Sequence, residues 1–262
     1  MRSLAHVLTN CPLALHQGRA AGMVSAWAAI DSEVGGEASG SYGLVDGVAI
    51  IPVRGVLCPG NFSWGSWATG YDWVRRGIAA ALAASDVRAI VLDVDSPGGT
   101  VAGCFDLADA IYEARGDKPI WAILSENAYS AAYAIASAAD RIIVPRTGGT
   151  GSIGVIWMHV DWSEALKEAG IKVTFVTYGS RKADGHPEIP LSEEALRMVQ
   201  GDINTMGDLF VSTVARNRNL AEKKIRDTQA ATFLGASGVS HGLADAVMAP
   251  DAAFQALLSE LG

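Results

Sequence analysis

Residues 88–100 read RAIVLDVDSPGGT. The first seven residues are a short apolar run of strand character. Asp95, Ser96, Pro97, Gly98 and Gly99 follow, a string of turn formers in which the chain is expected to bend sharply where a strand ends and a helix begins. In open α/β sheets that edge is where ligands bind. The fold class therefore hangs on whether strands and helices alternate on either side.

They do. Upstream stand the strand GVAIIPV (47–53) and a helical stretch from about Tyr71 to Ala84. Downstream come a helix from about Ala102 to Arg115 and the strand PIWAILS (119–125). This alternation predicts βαβ units with right-handed crossovers and a largely parallel sheet, an α/β fold. The second half continues with an Ala-rich helix from Ser130 to Ala139, the strand RIIVP, the loop RTGGTGSIG, a helix near Ser163–Ala169 and the strand IKVTFVT (171–177). After the polar YGSRKADGHPEIP comes a long helix from Ser192 to about Arg218, with Ser192 as N-cap and Ala195 at the third helical position. FLGASGVSHGLADAV then leads to a short C-terminal helix. Residues 1–30 read as a mildly apolar helical arm, and DSEVGGEASGSYG (31–43) as a Gly/Ser linker. The expected organisation is an arm and linker over 1–44 and one compact domain over 45–262.

Composition excludes several function classes. A formal net charge of −8 over 262 residues provides no basic stripe for phosphate backbones, so nucleic acid is not an expected partner. No uninterrupted apolar run reaches the ~18 residues a membrane span needs, so a soluble protein is expected. Cys11, Cys58 and Cys104 are widely spaced and odd in number, which fits a reducing compartment. No two histidines stand at metal-ligand spacing, and neither a metal nor a cofactor is expected.

Four strings carry chemistry. In SPGG, consecutive glycines let backbone N–H groups approach a ligand without a Cβ in the way, as an oxyanion hole requires; a plain turn is the alternative. In NAYSAAYAIASAAD (127–140), Ser130 opens a helix of small residues. Serine suits an ordinary N-cap there. Ala131 and Ala132 also leave room for a substrate carbonyl, and the Ala131 N–H can join that of Gly98 or Gly99 as a donor. In GGTGSIGV (148–155), Ser152 lies between glycines, either capping a tight loop or orienting a nearby amine. In YGSRKADGHPEIPLS (178–192), Lys182 sits on a loop; a lysine there is ordinarily a solvated surface residue and becomes a base only when desolvated. Arg181 is excluded as a base because guanidinium keeps its proton. Neither His159 nor His186 adjoins a carboxylate arrangement that would complete a histidine triad.

Together these strings resemble the signal-peptide peptidase A (protease IV) superfamily of serine peptidases over residues 45–248, and the resemblance implies a fold similar to the Clp protease subunit and the crotonases. By this resemblance Ser130 is the nucleophile, Lys182 the general base, Ser152 the lysine's hydrogen-bond partner, and Gly98 and Gly99 the oxyanion hole. The spacings are 22 residues from Ser130 to Ser152 and 52 from Ser130 to Lys182. Within the superfamily, GGTVAGCFD and RKADGHP look most like the capsid assembly proteases of tailed phages. That implies a serine endopeptidase acting on scaffold or capsid proteins in the host cytoplasm or the prohead, and a homo-oligomer.

The nucleophile segment departs from the family pattern in carrying Ser-Ala-Ala-Tyr where cellular enzymes have Ser-Gly-Gly-Tyr, which narrows the cleft. The chain also stops soon after the peptidase region, so the scaffold is expected to be a separate protein. The competing readings are a soluble bacterial signal-peptide-type peptidase, a crotonase-like acyl-CoA enzyme, and an inactive structural scaffold component.

Overall fold

The computed structural model describes residues 13–15, as backbone, and 42–262. Its centre is a sheet whose three longest strands run several residues beyond the apolar strings that predict them. Strand β1 is Leu13–Leu15, β2 Gly43–Val45, β3 Val48–Cys58 and β4 Ala68–Gly70. Helix α1 (Tyr71–Ala83) leads to β5 (Ala89–Thr100), α2 (Cys104–Glu113) to β6 (Ile120–Tyr129), and α3 (Ala131–Ser137) to β7 (Arg141–Val144). Then follow β8 (Gly149–Gly151), α4 (Ser163–Glu168), α5 (Glu193–Arg218), α6 (Glu222–Arg226), β9 (Thr232–Leu234), α7 (Gly235–Ser240), β10 (Ala246–Val247) and α8 (Pro250–Leu261).

The main strand order is β10-β7-β6-β5-β3-β2, with β1 also on β5, β4 on β3, β8 on β6 and β9 on β8. Pairing is parallel throughout the body of the sheet and antiparallel for β1 with β5, β2 with β3 and β8 with β9. The alternation of strand and helix thus yields the mostly parallel α/β sheet it predicts.

The central strands are buried on both faces, which is why they read as near-continuous apolar runs. Along β5, Ile90, Leu92 and Val94 face the larger core, built with α1, α2, α3 and α5. Ala89 and Val91 face a smaller one closed by Ala253 and Leu257 of α8. Ser192 caps α5 as its sequence implies, its hydroxyl accepting the Ala195 N–H at 3.1 Å. Asp245, in the GLADAV string, accepts the Ile142 N–H at 2.7 Å and pairs with Arg218 at 2.7 Å, tying the C-terminal unit and α5 to the sheet.

Three expectations need correction. Asp95–Gly99 is not a turn into a helix: β5 runs on to Thr100, because the tip stays paired to β3 through Val56↔Gly98 and Leu57↔Gly99. Residues 171–177 are not a strand; Ile171, Val173 and Val176 are exposed, and among the described residues the alternating pattern finds no neighbouring strand to take its hydrogen bonds. Leu13–Leu15, expected within a helical arm, form β1. The rest of the arm and most of the linker lie outside the described residues.

Candidate active site

β6 and α3 are joined by one residue, Ser130. Its backbone has φ 53° and ψ −121°, a positive φ that a residue with a Cβ adopts only at a cost of about 1–3 kcal/mol. The surroundings enforce it. The Ser130 N–H donates to the Gly151 carbonyl at 2.9 Å, and its carbonyl accepts the Ala134 N–H at 3.0 Å. One anchor belongs to β8, the other to the helix that the serine opens.

The far end of α3 is held as firmly. The Arg115 guanidinium donates to the carbonyls of Ala138 at 2.7 Å, Ser137 at 3.0 Å and Ala139 at 2.6 Å, satisfying groups a helix end leaves open. Every residue of α3 is buried, and the Cys104 thiol donates to the Ala131 carbonyl at 3.6 Å.

The ordinary N-cap role is absent. Ser130 stands at the N-cap position, yet its hydroxyl makes no cap hydrogen bond. Its one partner among the described residues is the Gly154 carbonyl at 3.5 Å, the outer limit of a hydrogen bond. A buried hydroxyl is therefore held in place by its backbone and left almost uncommitted.

The glycine pair lies alongside. β5 and β6 run parallel with Ser96 opposite Ala128, so two residues further along each strand stand Gly98 and Ser130. Gly98 has φ 105°, and its N–H donates to the Ser96 hydroxyl at 3.1 Å, which itself donates to the Gly55 carbonyl at 2.6 Å. As an oxyanion donor, Gly98 would have to exchange that partner for substrate. Gly99 has a different reason to be glycine: a Cβ there would lie 1.8 Å from the Leu57 carbonyl oxygen. The Ala131 N–H has no acceptor among the described residues.

Ser152 reaches the same edge through β8, which pairs with β6 by Ala128↔Thr150 and Tyr129↔Gly151. It also has positive φ, 55°, and its N–H donates to the Ala231 carbonyl at 2.9 Å. The structure thus gathers the 98–99, 130 and 152 strings at the C-terminal ends of neighbouring parallel strands. Lys182 is not gathered with them: its side chain is exposed and has no hydrogen-bond or ion-pair partner among the described residues, and its backbone N–H closes a turn with Gly179.

The histidine expectation changes in one respect. His186 does meet a carboxylate, Glu188, and its ring packs edge-on against Phe175 at 4.5 Å. The pair lines an open cavity of about 730 Å³ with Trp157, His159 and Trp162, on the segment between β8 and α5. Ser130 does not line it.

Sequence reading missed the groups that set Ser130 in place. They are the Gly151 and Gly154 carbonyls, the Ser96 hydroxyl under Gly98, and the Asn127 side chain, which accepts the Gly149 N–H at 3.1 Å. Ser96, Asn127, Gly151 and Gly154 all stand in strings already singled out, but backbone carbonyls carry no residue signature and the two side chains gave no sign of these partners.

A serine at positive φ between a parallel strand and a helix, flanked by glycine-bearing strand ends, is similar in layout to the strand-turn-helix of α/β hydrolases, though without the G-x-S-x-G sequence. The chain belongs to peptidase family S49, whose model matches residues 113–261. It is 40% identical over 206 residues to the head-tail preconnector protein GP5 of Enterobacteria phage P21, covering 78% of this chain and 41% of that protein. It is 37% identical over 207 residues to the capsid assembly protease C of Escherichia phage lambda, covering 78% and 47%. Protease 4 of Haemophilus influenzae is 26% identical, over 79% of this chain and 33% of its own length. The chain therefore spans less than half of these relatives. A solved enoyl-CoA hydratase/isomerase family member superposes with a TM-score of 0.48 and 15% identity, covering 84% of this chain and 74% of that one. No helix among the described residues is long and apolar enough to cross a membrane.

Proposed function

We propose that this chain is a serine endopeptidase of capsid maturation, with Ser130 as nucleophile and Lys182 as general base, cleaving scaffold or other capsid proteins inside the assembling prohead. The observation that carries the reading is Ser130 itself, a buried serine at φ 53° whose hydroxyl makes no cap bond and reaches the Gly154 carbonyl only at 3.5 Å. In the reaction the Lys182 amine takes the Ser130 hydroxyl proton as the oxygen bonds to the peptide carbonyl carbon. The N–H groups of Gly98, Gly99 and Ala131 receive the oxyanion. Collapse of the tetrahedral intermediate breaks the C–N bond, with the proton passing from lysine to the departing amine, and water then hydrolyses the ester. Ser152 orients the amine.

A lysine works as a base only when it can shed its proton, which needs a dry neighbourhood. Lys182 is exposed in the single chain. Its loop continues a segment that exposes Met158, Trp162, Val176 and Tyr178, so the site closes when that segment packs onto another copy.

The test is labelling with a fluorophosphonate, followed by turnover of a candidate scaffold protein. Wild type should label at Ser130 and cleave. Ser130→Ala and Lys182→Ala should each lose at least about a thousandfold in kcat/KM, the double variant no more than either, because the two act as one unit. Ser152→Ala should lose less. Absence of labelling at Ser130 would end the reading and favour an acyl-CoA or purely structural role.

A further inference from the structure

The tip of β5 is paired on both edges. One edge belongs to β3, through Val56↔Gly98 and Leu57↔Gly99. The other belongs to β1, which runs antiparallel with Leu15↔Gly98, Ala14↔Gly99 and Leu13↔Thr100. Lower down, that second edge is β6's, from Ile90↔Ile120 to Ser96↔Ala128. A strand has two edges only, so β1 takes up the place that β6 vacates when it turns into α3 at Ser130.

Direction matters as much as position. Running antiparallel, β1 passes from Thr100 to Gly98 and brings its C-terminal end level with Ser130. Neighbouring strands lie about 4.8 Å apart, the separation at which an extended peptide along this edge would present its carbonyls to that hydroxyl. Strand addition to an open edge is the general way an extended peptide is held, by main-chain bonds that any sequence can make.

We propose that the chain's own Leu13–Leu15 segment occupies the peptide-binding edge of β5 in cis, as a resident strand that an incoming peptide must displace. Residues 16–41 tether it to β2, and a tethered strand competes at an effective concentration on the order of millimolar. That the displacing peptide is a substrate rests on the peptidase reading, whereas the occupancy itself does not depend on turnover.

The experiment uses the full chain carrying Ser130→Ala, alone and combined with Leu13→Pro or Ala14→Pro. Alternate residues of an antiparallel strand point their N–H at the partner, so one of these consecutive prolines removes a bond to β5. At least one should speed backbone hydrogen exchange across Gly98–Thr100 by about tenfold, with β6 and β7 unchanged as proof of an intact fold. The same variant should bind a fluorescent peptide of residues 10–20, NCPLALHQGRA, at least about fivefold more tightly than its parent, because the competent fraction rises. Unchanged exchange and affinity in both proline variants would overturn the proposal and leave the peptidase reading untouched. Displacement without fluorophosphonate labelling of Ser130 in the otherwise wild-type chain would instead keep the strand contact and remove the peptidase.

Discussion

At φ 53° and ψ −121°, Ser130 pays for its position in backbone strain, and the side chain does not repay it with a cap bond. Glycine adopts positive φ freely, whereas alanine keeps the Cβ that makes the conformation costly. Ser130→Gly should therefore be more stable than Ser130→Ala by about 1 kcal/mol, although both lack the hydroxyl. Urea denaturation of the two variants measures this directly. Equal midpoints would mean that the elbow is relaxed and that strain says nothing about the role of the serine. Gly99 gives the opposite test of local space, because a Cβ there meets the Leu57 backbone rather than a movable side chain.

At the scale of elements, the packing of α1, α2 and α3 buries three weak acids. Burial pushes the Cys104 thiol up to about 12, and it raises the Tyr133 hydroxyl and, well above its ordinary value, the Tyr71 hydroxyl. Each has a partner suited to the protonated form: Tyr71 donates to the Thr100 carbonyl at 2.6 Å and Tyr133 to the Leu243 carbonyl at 2.9 Å. A group whose proton is held more tightly in the fold contributes stability fully below its unfolded pKa and loses it as pH rises toward the folded one. The melting temperature should thus be level near neutrality, then fall from about pH 8.5 as Cys104 titrates in the unfolded chain, and more steeply above about pH 10 with the tyrosines. Thermal melts from pH 7 to 11 check it, and Cys104→Ala should remove the earlier part of the fall. A melting temperature unchanged to pH 11 would contradict the burial of these groups.

For the whole molecule, the segment between β8 and α5 is out of keeping with the rest. Val176 and Tyr178 are almost wholly exposed, at 95% and 102%, with Met158 and Trp162 each at 56%. Other large apolar residues such as Trp67, Leu196 and Leu234 are exposed too, but this segment gathers several of them with the two most exposed of all, and it is the surface we propose for self-association. Light scattering at micromolar concentration should give a mass several times the 27.3 kDa of one chain. Val176→Glu should lower that mass, and with it any activity that depends on a dry site for Lys182. A 27.3 kDa particle that is fully active would show that the site completes itself within one chain.

The parallel α/β plan was legible because its signals are local. Apolar runs such as Ala89–Val94 and Ile120–Leu124, separated by helix-length stretches, carry it without knowledge of any contact. Ser192 was legible for the same reason, since a cap bonds a residue three positions on. The Ser130, Gly98–Gly99 and Ser152 strings could be singled out as strings, and their meeting at one edge follows from parallel strands ending together. What only the tertiary structure decided is long-range. The Asp95–Gly99 string became strand because β3 pairs with it, and 171–177 failed to become one because no strand among the described residues does. Leu13–Leu15 joined the sheet far along the chain, at the tip of β5, and Ser130 took its positive φ from a carbonyl on β8. Strand pairing is set by which edge is open when the chain folds, and a sequence records its own periodicity but not which edge its partner leaves free.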